Sequence, residues 1–173
     1  HRYSSAASDV YKRQDPNECK LSDHTKFSRA ILEKMTLEQK VGQVIMPEIN
    51  SVSPEQAKKF HLGTILNGGG GFPNQNKNST IEDWKNLSKN YYDASTIVDG
   101  QKLPILWGTD AVHGHNNVIG ATIFPHNIAL GATRNENLLR DIGAAVAREV
   151  ISTGIIWTFA PTCLLYTSDA ADE

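Results

Sequence analysis

The feature that most constrains the fold is an alternation of short apolar segments with longer segments of helical periodicity. Strands are predicted at Val41–Ile49, Thr64–Leu66, Pro104–Gly108 and Ile155–Ala160. Helices that follow strands in this way imply a parallel sheet with right-handed crossover connections. Strands that are apolar almost throughout fit a sheet covered on both faces or closed into a barrel. The pattern by itself is compatible with an open doubly wound sheet and with a barrel.

Helix signals lie between these strands and before the first of them. Apolar residues at helical spacing predict a helix over Phe27–Met35, and Thr36 with Gln39 matches a capping box that starts a new turn. Pro54 suits the first turn of a further helix, which Gly63 is expected to end.

Two longer helices are predicted downstream. Ser79 or Thr80 caps a helix that runs to about Thr96, with Trp84 and Tyr91 on one face. Residues 135–152 form the second helix, followed by a stop at glycine 154. Its inward face is expected to consist of Leu138, Leu139, Ile142, Val146 and Val150.

The candidate site begins where the third predicted strand ends. Asp110 follows this strand directly, and two imidazoles and two amides follow Asp110: His113, His115, Asn116 and Asn117. A strand that delivers a carboxylate into a polar loop is typical of a site for a polyhydroxylated ligand at the carboxyl end of a barrel. A carboxylate also accepts stronger hydrogen bonds than a neutral group does. From position alone, Asp110 could equally cap the segment that follows it.

Four glycines, Gly68–Gly71, follow the second predicted strand. A phosphate-binding loop is disfavoured because the G-x-G-x-x-G spacing and a following Lys-Ser/Thr pair are absent. Glycine has no Cβ, so a loop that lets a sugar ring approach the backbone is favoured, with a flexible turn as the alternative.

The two histidines supply at best half of a zinc site, and neither a cysteine pair nor an HExxH motif accompanies them. No metal site is therefore predicted, and the histidines are expected to hold the loop in shape by hydrogen bonds. Trp107 and Trp157 lie within strands and are interpreted as structural. The turn at residues 124–127 is interpreted in the same way.

Composition excludes some partners. The formal net charge is −2 and the charges are dispersed, so a nucleic-acid partner is not expected. No apolar run reaches the roughly 20 residues of a membrane span. Cys19 and Cys163 are the two cysteines, and they identify no redox compartment.

The two ends of the chain can be encoded by the two strands of one DNA sequence, although two natural polar tails are the alternative. A single DNA sequence, with suitable codons, encodes Ser4–Gln14, and its reverse complement read one base out of frame encodes Cys163–Glu173. That DNA resembles a transposase-type sequencing adapter. Residues 1–14 and 163–173 are therefore predicted to be non-native tails around a native segment, 15–162, and are excluded from fold reasoning.

Five stretches resemble the N-terminal barrel domain of glycoside hydrolase family 3, in its branch of exo-acting β-glucosidases and β-1,3/1,4-glucanases. They are MTLEQKVGQ (35–43), ILNGGGG (65–71), GTDAVHGHNNV (108–118), GATIFPHNIALGATRN (120–135) and TGIIWTFAPT (153–162). The Asp-x-x-His-Gly spacing argues against the N-acetylglucosaminidase branch. The resemblance implies the first half of a (β/α)8 barrel, a fold of roughly 250 residues when complete.

The resemblance implies a substrate-binding role for Asp110, which would grip hydroxyls of the non-reducing terminal sugar of a β-glucoside or β-glucan oligosaccharide. Gly69, Gly70 and His115 are candidate pocket-lining residues. No cofactor is implied. The resemblance places the catalytic nucleophile, the acid/base and the rest of the barrel and following domain beyond Thr162, so this segment alone is expected to be inactive. A periplasmic or secreted compartment is implied.

Two other interpretations compete. A non-catalytic sugar-binding or structural domain of the same barrel ancestry would lack a nucleophile segment after Thr162. An aldolase-type barrel would need a phosphate site from its last strands. The sequence does not distinguish glucose from xylose, or one linkage from another.

Overall fold

The computed structural model describes residues 23–161, so both predicted tails lie outside the described residues. The chain divides into two units, residues 1–35 and 36–173, which are described separately. In the first unit, helix α1 spans Asp23–Lys34. This confirms the first predicted helix, which begins earlier than the apolar periodicity indicates.

The second unit alternates helices with short strands. Its elements are α2 (Leu37–Gln43), α3 (Pro54–Lys59), β1 (Thr64–Asn67), a 3-10 turn (Pro73–Gln75), α4 (Ile81–Asp93), β2 (Thr96–Val98), β3 (Gln101–Leu103), β4 (Leu106–Thr109), α5 (Asn127–Ala132), α6 (Glu136–Ser152) and β5 (Trp157–Thr158). Three helices begin with the capping residues Thr36, Ser53 and Thr80, each in a complete capping box. These caps fix the helix starts because each satisfies backbone donors that would otherwise lack a partner.

The strands form a parallel sheet in the order β1-β4-β5. Ile65 of β1 lies opposite Trp107 of β4, and Gly108 of β4 lies opposite Trp157 of β5. Along the chain, α4 lies between β1 and β4, and α5 and α6 lie between β4 and β5. The prediction of an α/β fold, in which parallel strands alternate with helices, is therefore confirmed.

The strand predicted over Val41–Ile49 is wrong. Residues 41–43 are the last turn of α2, and Val44, which caps that helix, is 83% exposed. Leu37, Val41 and Ile45 repeat every four residues and line one groove of about 680 Å³, so the apolar period was helical. Of the predicted strand, Glu48 alone pairs with the sheet, in an isolated parallel bridge to Leu66.

Two helix ends also differ from the prediction. Helix α3 ends at Lys59, before Gly63. Helix α4 ends at Asp93, and Thr96 instead begins a β-hairpin whose turn residues Asp99 and Gly100 have φ of 49° and 78°. An Asp-Gly pair favours this left-handed turn, so the hairpin had a signal in the sequence.

The core lies between the sheet and α4. The Trp84 ring lies 6.0 Å from that of Trp107, and the Tyr91 ring meets Trp107 edge-on at 5.6 Å. Both tryptophans are at most 3% exposed. The structural interpretation of Trp107 is thereby confirmed. Trp157 is 41% exposed on β5, an edge strand of the described sheet, and its structural interpretation stays a prediction.

Helix α6 buries less of its apolar face than predicted. Val150 is 4% exposed, whereas Leu138 and Leu139 are 39% and 37% exposed. Leu139, Ile142 and Val150 line a groove of about 540 Å³ beside β5 instead of a filled core. Among residues 23–161, no helix is long and apolar enough to cross a membrane.

Candidate functional site

Asp110 stands at the carboxyl end of β4, where the sheet passes into the polar loop. The Asp110 backbone N–H donates to the Asn67 carbonyl (3.4 Å), and the Asn117 side-chain amide donates to the Asp110 backbone carbonyl (3.3 Å). The carboxylate is half-buried, and no group within residues 23–161 donates a hydrogen bond to it. A capping role would require such a bond, so the described residues give no support to the capping alternative.

The structure brings the glycine loop, residues 68–71, next to this carboxylate. A Cβ added to Gly68 would lie 3.8 Å from Oδ2 of Asp110. The Gly71 N–H donates to the Gly68 carbonyl (3.1 Å) and closes the loop into a turn. Gly69 and Gly70 are exposed, and a Cβ added to either would meet nothing within 4 Å. The backbone here is therefore open to a ligand that approaches Asp110.

Two residues behind this loop were missed by sequence reasoning. The Glu48 carboxylate accepts hydrogen bonds from the backbone N–H of Asn50 (2.6 Å) and from its side-chain amide (3.4 Å). The same amide donates to the Gly70 carbonyl (3.3 Å). Glu48 comes after an apolar segment, as Asp110 does. This similarity was the sequence signal that could have identified Glu48 as a site residue. The mistaken strand over Val41–Ile49 concealed it.

His113 holds the polar loop in shape, as predicted. Its Nδ1 lies 3.0 Å from the Phe124 carbonyl oxygen, and its backbone N–H donates to Oδ1 of Asn116 (3.3 Å). These hydrogen bonds hold together residues 113–124 of the loop that follows Asp110.

His115 is enclosed, at 1% exposure, with its ring 6.1 Å from that of Trp84. Its Nε2 lies 2.9 Å from the Thr153 hydroxyl, which itself donates to the Val150 carbonyl (2.6 Å). The hydroxyl therefore accepts from Nε2–H, which leaves Nδ1 as a buried atom without a partner in the described residues. Burial lowers the pKa of His115 to about 4, against a smaller opposing effect of Glu149. A role for this ring in lining the pocket stays a prediction.

The two histidines contact different partners, His113 the Phe124 carbonyl and His115 the hydroxyl of Thr153, which caps the end of α6. Within the described part of the chain, no group of three or more histidine, cysteine, aspartate or glutamate side chains is placed to hold a metal ion.

Comparison with known proteins identifies relatives of this fold. The model of the glycosyl hydrolase family 3 N terminal domain matches residues 36–171. The crystal structure of an exo-1,3/1,4-beta-glucanase from a Pseudoalteromonas species is 46% identical, with a TM-score of 0.74 over 82% of this chain and 18% of that chain. The family match takes in residues 163–171, so the domain boundary at residue 162 stays a prediction.

Other relatives are more distant. The lysosomal beta glucosidase of Dictyostelium discoideum is 27% identical over 89% of this chain and 21% of its own length. The structure of a glycoside hydrolase family 3 beta-N-acetylglucosaminidase from Paenibacillus sp. str. FPU-7 is 25% identical, with a TM-score of 0.59 over 73% of this chain and 24% of that chain. The chain therefore spans only a minor part of each relative.

Proposed function

Because the chain belongs to glycosyl hydrolase family 3, matching its N-terminal domain over residues 36–171, we propose that it is part of an exo-acting β-glucosidase or β-1,3/1,4-glucanase. The proposed reaction is hydrolysis of the terminal O-glycosidic bond of a β-glucoside or β-glucan oligosaccharide. The relatives named as a beta glucosidase and an exo-1,3/1,4-beta-glucanase support this reaction. No observation favours a non-catalytic sugar-binding or structural domain.

The observation that carries the proposal is the Asp110 carboxylate beside the glycine loop, to which none of the described residues donates a hydrogen bond. Two vicinal hydroxyls of a sugar can each donate to one carboxylate, and these charge-assisted bonds are about twice as strong as neutral ones. Gly69 and Gly70 carry no side chain and have open space around them, so neither would obstruct a sugar ring that approaches Asp110. We therefore assign Asp110 to the binding of the non-reducing terminal sugar.

The bond cleavage itself is proposed to use two carboxylic residues from sequence beyond Thr162. In a retaining glycosidase, one carboxylate attacks the anomeric carbon while the other group, as an acid, protonates the departing oxygen. Water then hydrolyses the glycosyl-enzyme, and the second group removes its proton. In this scheme the present segment orients the sugar, and Asp110 takes no part in proton transfer.

The test uses the complete enzyme, expressed from the gene that contains this segment. An aryl β-glucoside and β-1,3- and β-1,4-linked gluco-oligosaccharides are the substrates, and an aryl N-acetyl-β-glucosaminide is the control. We expect glucose released from the non-reducing end, with β-glucose appearing first by NMR because the mechanism retains configuration. Binding of these sugars with no release of glucose would contradict the proposal and indicate a non-catalytic domain.

A further inference from the structure

We propose that Glu48 is a positioning residue that holds the glycine loop, Gly68–Gly71, in place beside Asp110. The inference deepens the proposed function and rests on it, because it assigns a support to the same sugar-binding edge. Glu48 does not touch the substrate in this assignment. It acts through Asn50 and the loop backbone.

The first observation is a continuous chain of hydrogen bonds from Glu48 to the loop. The carboxylate accepts from the Asn50 backbone N–H at 2.6 Å and from its amide at 3.4 Å. The Asn50 amide in turn donates to the Gly70 carbonyl at 3.3 Å. An amide held on one side by a carboxylate has its remaining proton directed at Gly70, so the orientation of Asn50 is fixed at both ends.

The second observation is close packing of the Glu48 carboxylate against Gly71. A Cβ added to Gly71 would lie 2.1 Å from Oε1 of Glu48, so any side chain at this position would displace the carboxylate. Gly71 is buried, unlike Gly69 and Gly70, which stand in open space. The far end of the loop is thus supported, and its middle is left free to meet a ligand.

The third observation is that the Glu48 backbone is anchored to the strand that leads into the loop. The residues on either side of Glu48 make the bridge: the Leu66 N–H donates to the Pro47 carbonyl (3.0 Å), and the Ile49 N–H donates to the Leu66 carbonyl (2.9 Å). The main chain on either side of Glu48 therefore holds the strand that enters the loop, while the Glu48 side chain packs at the end of the loop.

Through these contacts, the position of the Glu48 side chain determines where the glycine loop lies relative to Asp110. The Gly71 N–H donates to the Gly68 carbonyl, and Gly68 lies beside Oδ2 of Asp110. Loss of the Glu48 carboxylate should release the Asn50 turn and let the loop drift. A site for a bound sugar loses affinity when its backbone wall is displaced, because the geometry of contact is no longer set in advance.

The experiment compares Glu48→Ala, Glu48→Gln and Asn50→Ala in the complete enzyme. Glu48→Gln keeps an oxygen that accepts from the Asn50 N–H, so it should rescue most of the function. We expect Glu48→Ala to lower kcat/KM about 30-fold, mainly through KM, and Glu48→Gln to stay within about threefold of wild type. The pH profile of kcat should not move. Glu82→Ala, which removes an exposed carboxylate at the start of α4, is the matched control.

The second measurement is whether the losses of kcat/KM in the single variants add up in the double variant. Glu48 and Asn50 act through one chain of contacts, so the double alanine variant should lose little more than Glu48→Ala alone. Equal losses in Glu48→Gln and Glu48→Ala, or a shifted pH profile, would overturn the proposal, because they would show that the charge itself acts on the substrate.

Hydrogen exchange of the backbone amides at residues 68–71 separates this inference from the proposed function. In the complete protein we expect faster exchange in Glu48→Ala than in wild type or Glu48→Gln, whether or not the protein hydrolyses β-glucosides. Unchanged exchange in Glu48→Ala would overturn the positioning role even in an active enzyme. An inactive wild type with the expected exchange pattern would contradict only the proposed reaction.

Discussion

Oδ2 of Asp110 lies 3.8 Å from the position that a Cβ on Gly68 would occupy. The two residues follow neighbouring parallel strands, β4 and β1, whose carboxyl ends meet at one edge of the sheet. A carboxylate and an unobstructed stretch of backbone thereby face the same space, as a site at the carboxyl ends of parallel strands requires.

Gly68→Ala tests whether this space receives the substrate. The added methyl group makes only ordinary van der Waals contact with the Asp110 carboxylate, so the fold should tolerate it. A sugar that occupies the same space would be obstructed, and we expect KM to rise about tenfold in the complete enzyme with Tm nearly unchanged. Gly143→Ala, on helix α6 with nothing within 4 Å of the new Cβ, is the control. A KM equal to that of wild type would place the sugar elsewhere.

His115 should make the stability of the fold depend on pH. Its pKa is lowered by burial to about 4, below the ordinary value of 6.5, so the folded protein keeps the ring neutral while the unfolded chain takes up a proton. The free energy of unfolding is therefore unaffected by the titration of His115 above about pH 6.5. It decreases by up to about 3 kcal/mol as the pH falls from 6.5 towards 4. Urea unfolding of the complete enzyme at pH 7 and pH 5 measures it.

The control for this pH dependence is His115→Gln, which can retain a hydrogen bond to Thr153 but does not titrate. The variant should lose less stability than wild type between pH 7 and pH 5. Identical pH dependence in the two proteins would show that the buried ring does not contribute.

The sequence predicted the parts of this fold that rest on local chemistry. The capping box at Thr36, the helix cap at Ser79 or Thr80, the strand at Thr64 and the position of Asp110 after β4 all have signals within a few residues. Such signals are read correctly because the bonds that make them are formed by near neighbours in the chain.

One error was local: Leu37, Val41 and Ile45 repeat every four residues, and this helical period was interpreted as a strand. The other errors arose where contacts distant in sequence decide the structure. His115 was expected to hydrogen-bond within its own loop, but its ring instead contacts the hydroxyl of Thr153, the residue that caps the end of α6. The support that Glu48 gives to the glycine loop depends on the pairing with Leu66, which no local pattern indicates.

Expressed alone, the 173-residue chain should not form a stable native monomer. Val44 lies off the sheet, so the strand predicted over Val41–Ile49 contributes no sheet edge, whereas β5, with Trp157, is an edge strand of the described sheet. Ile156 and Trp157 are 65% and 41% exposed there. Uncovered apolar surface forfeits roughly 25 cal/mol per Å², and domains are stable by only about 5–15 kcal/mol.

We therefore expect aggregation, dimerisation through the open edge, or a molten species that binds ANS. Size-exclusion chromatography with thermal unfolding measures this outcome. A monodisperse monomer with one sharp transition would show that the segment folds independently of the rest of its domain.

The terminal segments should be absent from the natural gene. We predict that DNA sequenced across this locus encodes residues other than Ser4–Gln14 before Asp15, and other than Cys163–Glu173 after Thr162. A continuous reading frame beyond Thr162 should also supply the two catalytic carboxylic residues. A gene that encodes CLLYTSDAADE at this position would show that the tail is native, in keeping with a family match that reaches residue 171.

The most direct measurement is the kcat/KM of Asp110→Asn in the complete enzyme with an aryl β-glucoside. Asparagine keeps the size of the side chain but removes the charged acceptor, so we expect a loss of at least roughly a hundredfold, about 3 kcal/mol, with Tm little changed. Asp141→Asn, an exposed carboxylate on α6, should retain the wild-type value. A wild-type kcat/KM for Asp110→Asn would contradict the assignment of this carboxylate to the terminal sugar.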